Sequence, residues 1–344
     1  MTGREGRSLQ FRLLASKLQN LADKAVPVRE FFLEPDGKGL RLCCMDFEPD
    51  EVMFSSICSL LCPRKENAAY ETFYCFRKKS GELLEFLPQE LTAPEGRFVY
   101  DGPEGRFAVS IQFGFFSLYS AEEQATYIWL CPDKHSLDGF VSHPFHMEFS
   151  WWAQRNGLTF LHSACVGANE KGILISGAGG SGKTTLAIAA LLSGMLFLSD
   201  DYLLVRPGQT PEAIRLYSTA YLTEEILDQL PECKKNVYWA SDARKKGLLD
   251  LASFNGNVLD RLSLSAVVIP HIAHADRPVI EANADIRRLI PLLSSTSYQN
   301  RELRNKDVFF NMMRLLKGLP AYHFMLTDDI RRNAEHLKAW VEKL

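Results

Sequence analysis

The sequence predicts an α/β fold of mixed α+β type, and three observations support this class. Between residues 28 and 130, short apolar and alternating runs such as GLRLCCMDF and ATYIWLCP recur between Gly, Pro and charged clusters, which is typical of β-strands. From residue 158 onward, strand-like apolar runs alternate with the helical run TLAIAALLSG, which indicates an α/β unit. Leucines at helical spacing predict a first helix within the opening 25 residues, and a last helix is expected from about 327 to 344.

The change of pattern predicts two domains. Residues 131–143, CPDKHSLDGFVSH, are polar and rich in turn-forming residues, so we place the boundary at their end. We therefore expect a β-rich N-terminal domain with a leading helix over 1–143, and an α/β domain with a C-terminal helix over 144–344.

The composition indicates a globular protein and excludes some functions. Apolar residues make up 46% of the 344 residues, charged residues 24%, and the formal net charge is −3. A nucleic-acid coat or an anionic-membrane binder would need a basic excess, so neither partner is expected. No signal-peptide pattern or membrane-length apolar run is present, which predicts a cytoplasmic protein. The eight cysteines show no metal-binding spacing, and we expect free thiols.

The most specific motif is GAGGSGKT, which matches the phosphate-binding P-loop pattern G-x-x-x-x-G-K-[ST] in full. An apolar strand precedes it and a helix follows it, as the motif requires. Glycines let backbone amides approach phosphate oxygens, the lysine reaches the β- and γ-phosphates, and the first threonine can ligate Mg²⁺. The predicted nucleotide-binding residues are Gly177, Ala178, Gly179, Gly180, Ser181, Gly182, Lys183, Thr184 and Thr185.

A second unusual segment is FLSDDYLLV, residues 197–205, where two aspartates interrupt an apolar run. Burying two unpaired carboxylates is costly, so they need cationic partners. Neighbouring side chains in a strand point to opposite faces, and Asp200 and Asp201 therefore need different partners unless they lie in a loop beyond the strand end. Mg²⁺ and Lys183 would offset the cost of both charges.

The spacing of these residues resembles the HPr kinase/phosphorylase family, whose core is similar to that of phosphoenolpyruvate carboxykinase. His162 lies 21 residues before Lys183, Asp201 lies 18 residues after it, and Gly194 lies between them. The segment DARKKGLLDL, residues 242–251, is similar to a second signature of the family. There Asp242 replaces a glutamate, while Arg244 and Gly247 match. The resemblance covers about residues 158–260.

The resemblance implies a P-loop kinase domain of this type and a role for each matched residue. Asp201 would accept the proton of the attacking hydroxyl, and His162 would hydrogen-bond this carboxylate or a phosphate oxygen. Arg244 would brace the transferred phosphoryl group, as Lys183 does. Thr184, Asp200 and Asp242 are the expected Mg²⁺ ligands. A later active-site arginine of the family has two unaligned candidates, Arg287 and Arg288.

The predicted function is an ATP-dependent kinase that transfers the γ-phosphoryl group to a hydroxyl, in first place a serine or threonine of a protein or peptide. Two alternatives stay open at this point: a kinase for a small-molecule alcohol, and a non-catalytic nucleotide-sensing module. Residues 1–143 would then recognise the acceptor. Assembly into a homo-oligomer is also left open by the sequence.

Overall fold

The computed structural model of the protein describes residues 4–49, 51–66, 68–91, 97–110, 114–133, 143–239, 246–254, 256–282 and 306–344. Two compact units make up the chain. The first comprises Met1–Phe54 and Leu60–Phe140, and the second comprises Ser55–Ser59 and Val141–Leu344. Helices combine with sheets of mixed strand direction, so the predicted mixed α/β class is confirmed. Among the described residues no helix is long and apolar enough to cross a membrane.

The first unit is built on a seven-stranded sheet. Its first part contains α1 (Arg4–Asp23), β1 (Arg29–Leu33), β2 (Leu40–Cys44), β3 (Glu71–Arg77) and α3 (Ser80–Phe86). Between β2 and β3 the chain forms α2 (Glu51–Ile57), whose last three residues belong to the second unit. The second part of the first unit contains β4 (Arg97–Gly102), β5 (Gly105–Ser110), β6 (Phe115–Ser120) and β7 (Ala125–Leu130). The strand order is β1-β2-β3-β7-β6-β5-β4. Apolar residues of α1, among them Phe11, Leu14 and Leu18, share a buried cluster with Phe107 and Phe116 of the sheet, which explains their helical spacing.

The second unit contains a nine-stranded and a three-stranded sheet. Its first half comprises α4 (His146–Arg155), β8 (Thr159–His162), β9 (Ala164–Ala168), β10 (Lys171–Ile175), α5 (Lys183–Leu192), β11 (Leu196–Ser199), β12 (Tyr202–Arg206) and β13 (Glu212–Arg215). Its second half comprises β14 (Thr219–Thr223), α6 (Glu224–Gln229), β15 (Val237–Tyr238), β16 (Lys246–Asp250), β17 (Arg261–Ile272), β18 (Val279–Ala282), α7 (Lys306–Lys317), β19 (Ala321–Leu326) and α8 (Ile330–Val341).

The large sheet runs β11-β9-β10-β17-β13-β12-β8, with β19 beside β17 and β18 beside β19. Strands β10, β17 and β19 are parallel to one another, while the other neighbours are antiparallel. The small sheet has the order β14-β16-β15. The P-loop therefore leaves the carboxyl end of a parallel strand, where α/β proteins bind ligands.

Alternate residues of the central strands fill two separate cores. Ile173 and Ile175 of β10 belong to a core with α5 and α8, whereas Leu174 belongs to a second core with α7. This follows from the two-residue period of a strand, because both faces of the sheet are covered by helices. The continuous apolar runs GILIS and SAVVIP of the sequence have this cause.

Two apolar runs of the sequence each form two strands in the structure. The run LTFLHSACV divides at Ser163 into β8 and β9, and MLFLSDDYLLV divides at Asp200 and Asp201 into β11 and β12. The breaks face each other, because Tyr202 pairs with His162 and the Ser163 amide donates to the Asp201 carbonyl at 2.7 Å. Hydroxyls stabilise both breaks: Ser163 Oγ donates to the Ile175 carbonyl at 2.9 Å, and Ser199 Oγ donates to the Tyr202 carbonyl at 2.8 Å. The aspartates thus occupy a turn rather than a strand.

Replacement of Leu337 by alanine should lower the free energy of unfolding by about 2–5 kcal/mol, because a fully buried leucine of α8 leaves a cavity beside α5. Leu344→Ala is the matched control, since this side chain is 37% exposed. Urea unfolding followed by tryptophan fluorescence measures both values. Equal midpoints for the two variants would contradict the packing of α8 against the P-loop helix.

Candidate functional site

The P-loop lies between β10 and α5, and its geometry requires glycine at Gly177 and Gly182 in particular. Gly182, with φ of +90°, lies directly before α5 in a backbone conformation that other residues rarely adopt. A Cβ atom on Gly177 would lie 2.6 Å from Ser181 Oγ. This Ser181 hydroxyl is buried and has no hydrogen-bond partner in the described part of the chain. An unsatisfied buried hydroxyl inside a P-loop suits a phosphate oxygen as acceptor.

Lys183 lies folded under this loop. Its Nζ donates to the carbonyls of Gly177 at 2.8 Å and Ala178 at 3.0 Å, and the side chain is buried. Burial lowers the pKa of Lys183, while the charges of Asp201 and Asp200 act in the opposite direction. No described carboxylate forms a direct ion pair with this ammonium group, so it is suited to an added anion.

A cleft of about 500 Å³ opens beside the loop. Lys183, Thr184 and Thr185 line it at the beginning of α5, and Ile272 and Leu326 line it from the carboxyl ends of β17 and β19. A Cβ atom on Gly182 would lie 3.2 Å from Leu326 Cδ1, so these apolar side chains lie against the P-loop itself. The volume and the mixed lining of polar and apolar side chains fit a nucleotide.

The structure brings His162 and Asp201 together. His162 Nε2 lies 2.9 Å from Asp201 Oδ1, and the other ring nitrogen, Nδ1, is buried without a hydrogen-bond partner among the described residues. Because Nδ1 has no such partner, the ring is assigned the tautomer in which Nε2 carries the proton and donates a hydrogen bond to the carboxylate. The Ser163 and Ser199 contacts hold the Asp201 backbone in place.

Asp201 is ionised at neutral pH. Burial would raise the pKa of this carboxyl, but the hydrogen bond from His162 and the charges of His143 and Lys183 outweigh burial and hold the pKa well below its ordinary value. The carboxylate nevertheless keeps 23% of its side-chain surface exposed. An ionised, oriented and accessible carboxylate can accept a proton from a bound group.

Asp200 points to different partners from those of Asp201. It is 3% exposed, and its Oδ2 accepts a hydrogen bond from the Tyr221 amide of β14 at 3.2 Å. The predicted separation of the two carboxylates is thus present in the geometry. The two carboxylates are separated because the residues lie in a turn between two strands, and not because side chains alternate between the faces of one strand. Whether Asp200 binds metal stays a prediction.

His143 also belongs to this site, although it is not among the residues predicted from the sequence. Its Nε2 lies 3.6 Å from Asp201 Oδ2, and the residue is 5% exposed. Sequence analysis placed His143 in a polar boundary segment. The segment KHSLDGFVSHPFH carries three histidines within twelve residues, and this local enrichment was the available signal.

Several predicted residues lie outside the described part of the chain. Asp242 and Arg244 fall in residues 240–245, and Arg287 and Arg288 fall in residues 283–305. Among the described residues, no group of three or more His, Cys, Asp or Glu side chains could hold a metal ion. All eight cysteines are free thiols, and six of them are buried.

Comparison with known proteins gives a weak similarity. No family model matches the chain, and no curated protein matches it in sequence. Among solved structures, the Hpr(Ser) kinase/phosphatase from Coxiella burnetii is similar with a TM-score of 0.30 and 12% sequence identity, over 54% of this chain and 93% of that chain. At this TM-score the similarity is only a hint at the level of the fold, and no residue role is taken from it.

Replacement of His162 by phenylalanine should raise the pKa of Asp201, because burial is then opposed only by His143 and Lys183. Since the pKa in the folded protein lies below the ordinary value of about 4, ionised Asp201 stabilises the fold above that pH. This stabilisation is lost as the pH falls through the folded pKa. Carbon-13 NMR of labelled aspartate carboxyls, with Asp201→Asn for assignment, follows the titration.

The control for this experiment is His336→Phe, which removes a histidine of α8 outside the aspartate pair. It should leave the Asp201 resonance unchanged. An Asp201 titration that is the same in His162→Phe as in the wild-type protein would show that His162 does not stabilise the carboxylate.

Proposed function

We propose that this protein is an ATP-dependent kinase that transfers the γ-phosphoryl group to a hydroxyl group of a protein or peptide. The observation that carries the proposal is the His162–Asp201 pair, whose carboxylate acts electrostatically on the P-loop lysine. A site that only binds nucleotide needs the loop, the helix N-terminus and the lysine. It does not need an oriented, partly exposed carboxylate beside them.

Binding of nucleotide phosphates is supported by two P-loop side chains that have no anionic partner among the described residues. Lys183 donates only to loop carbonyls, and the Ser181 hydroxyl is unsatisfied in the described part of the chain. A triphosphate would replace the carbonyls as the acceptor of the ammonium group and would accept from Ser181. Buried in the loop, these interactions are stronger than they would be in water. Their positive charge would then offset the negative charge that spreads over the equatorial phosphoryl oxygens in the transition state.

The acceptor side of the proposal rests on Asp201. A phosphoryl transfer with a loose transition state needs a group that orients the hydroxyl and takes its proton as the oxygen–phosphorus bond forms. His162 fixes one carboxylate oxygen and thereby the orientation of the other. The low pKa of Asp201 keeps the carboxylate available as an acceptor at neutral pH.

Magnesium is part of the proposal through Thr184 and Asp200, with Asp242 as a further predicted ligand. Mg²⁺ is usually held by one or two carboxylates together with water and substrate phosphates, so one buried carboxylate and one hydroxyl beside a P-loop form a suitable donor set. When bound, the ion would neutralise charge on the phosphates. Arg244 completes the predicted set on the phosphoryl group.

The acceptor class follows from the resemblance of the His162, P-loop and Asp201 spacing to HPr kinase/phosphorylase, whose acceptor is a protein serine. Recognition of such an acceptor is proposed for residues 1–143. A small-molecule alcohol is the alternative acceptor for the same chemistry. The second alternative is a nucleotide sensor that transfers no phosphoryl group. It would give the His162–Asp201 pair no function.

Incubation with γ-labelled ATP, Mg²⁺ and a size-fractionated lysate should label a protein or peptide fraction. Asp201→Asn should reduce this labelling by about 10²–10⁴-fold, the usual contribution of a general base, while ATP still binds. Asp260→Asn, an exposed aspartate paired with Arg215, is the matched control and should behave like the wild-type protein. Labelling of small molecules alone would favour the alcohol alternative. Full transfer by Asp201→Asn would refute the assignment of the base.

Lys183→Met should weaken ATP binding by about tenfold or more, because one charge-assisted hydrogen bond to the phosphates is lost. Titration with a fluorescent ATP analogue measures the dissociation constant. Lys338→Met is the control, since this lysine donates to the Ser193 carbonyl at the far end of α5. Equal affinities in wild type and Lys183→Met would be inconsistent with a phosphate site at this lysine.

A further inference from the structure

The two oxygens of the Asp201 carboxylate have different surroundings. Oδ1 is hydrogen-bonded to His162 at 2.9 Å, whereas Oδ2 lies 3.6 Å from Nε2 of His143. A separation of 3.6 Å is too long for a direct hydrogen bond. One oxygen atom can nevertheless lie about 2.7–2.9 Å from both groups, with an angle of roughly 80° between its two contacts.

His143 is held firmly in this orientation by aromatic rings. The rings of Tyr202 and Tyr217 meet it edge-on, with centroids 4.9 and 5.0 Å away. Tyr217 is itself fixed, because its hydroxyl donates to the Pro144 carbonyl at 2.9 Å. The imidazole therefore cannot turn toward Oδ2 without moving this packing, and the gap to the carboxylate is a built feature of the site.

Solvent reaches the gap from the carboxylate side. The His143 side chain is 6% exposed and the His162 side chain 13%, but the Asp201 side chain is 23% exposed. The accessible part of the pair is thus the carboxylate, with a ring nitrogen of His143 beside it. A small polar group that approaches Asp201 meets both.

We propose that His143 and Asp201 together bind the acceptor oxygen, with the hydroxyl donating to Asp201 Oδ2 and accepting from Nε2 of His143. This assignment rests on the proposed kinase function and adds a substrate-binding residue to it. With only the contact to the carboxylate, the acceptor hydroxyl could rotate about its hydrogen bond. The second contact, to His143, restricts this rotation and thereby orients the remaining lone pair of the oxygen.

The chemical step balances with these groups alone. The O–H bond of the acceptor breaks and its proton moves to Asp201 Oδ2. The remaining lone pair of the oxygen forms the bond to the γ-phosphorus, and the bond from this phosphorus to the bridging oxygen of ADP breaks with its electrons on ADP. His143 keeps its proton throughout, so its role is to bind and orient.

The test uses water as the acceptor, since water is the smallest hydroxyl and fits the same two contacts. The full-length protein is assayed for phosphate release from Mg²⁺-ATP as wild type, His143→Phe, His143→Gln and Asp201→Asn. His143→Phe should lower kcat by roughly tenfold, the effect of one lost hydrogen bond, with the KM for ATP within twofold of the wild-type value. His143→Gln places an amide N–H near the former Nε2 and should restore kcat to within about threefold.

The matched control is His336→Phe, because His336 lies on α8, where its ring packs against Phe324. It should change kcat less than twofold. Nucleotide binding by each variant, measured with a fluorescent ATP analogue, separates loss of fold from loss of turnover. If His143→Phe binds ATP and keeps the wild-type kcat, or if His143→Gln is as slow as His143→Phe, the assignment of His143 is wrong.

Asp201→Asn distinguishes failure of this inference from failure of the proposed function. Loss of turnover in Asp201→Asn with normal turnover in His143→Phe would overturn the role of His143 alone. Normal turnover in Asp201→Asn, or no turnover by the wild-type protein toward either water or the labelled fractions, would overturn both. Loss of the fold in His143→Phe leaves the decision to His143→Gln and its kcat.

Discussion

One backbone hydrogen bond, from the Ser163 amide to the Asp201 carbonyl at 2.7 Å, connects the parts of the candidate site. The first broken strand consists of β8 and β9, and the second consists of β11 and β12. Because β8 pairs with β12 and β9 pairs with β11, both strands change their pairing partner at this hydrogen bond. Because the breaks are held together, His162 and Asp201 lie side by side at 2.9 Å. Ser163 also donates to the last residue of β10, which brings the P-loop to the same place.

In the site, the cost of burying charged side chains is offset by the attraction between opposite charges. Lys183, Asp200 and Asp201 would each be expensive to bury alone, and desolvation is the largest influence on the pKa of both Lys183 and Asp201. Together the opposite charges and the two imidazoles keep Asp201 ionised. An anion arriving at Lys183 would shift this balance, so nucleotide binding and the state of the carboxylate are coupled by the same charges.

The sequence predicts the parts of the site that depend on local rules. A P-loop needs glycines at fixed positions between a strand and a helix, and both flanking elements are where the pattern places them. The pair of aspartates was recognisable because charge inside an apolar run demands partners. The mixed α/β class followed from the change of periodicity near residue 158.

Other parts depend on contacts between distant residues, which periodicity does not encode. Ser163 is as compatible with a continuous strand as with a break, and its bonds to Ile175 and Asp201 favour the break. His143 enters the site through packing against Tyr202 and Tyr217, 59 and 74 residues away. The histidine enrichment of the polar segment before α4 indicates the segment but not this contact. The matches at Asp242 and Arg244 rest on resemblance alone.

The paired strand breaks have a consequence for how the chain tolerates change. The backbone from Ser163 to Asp201 forms a closed circuit, which contains β9, β10, the P-loop, α5 and β11 and is tied at both ends by one hydrogen bond. Within this circuit, adding or removing a residue in a strand would exchange the two faces of the sheet and shift the lysine relative to the carboxylate. The strands among the forty residues from His162 to Asp201 are therefore constrained in length by the position of the site.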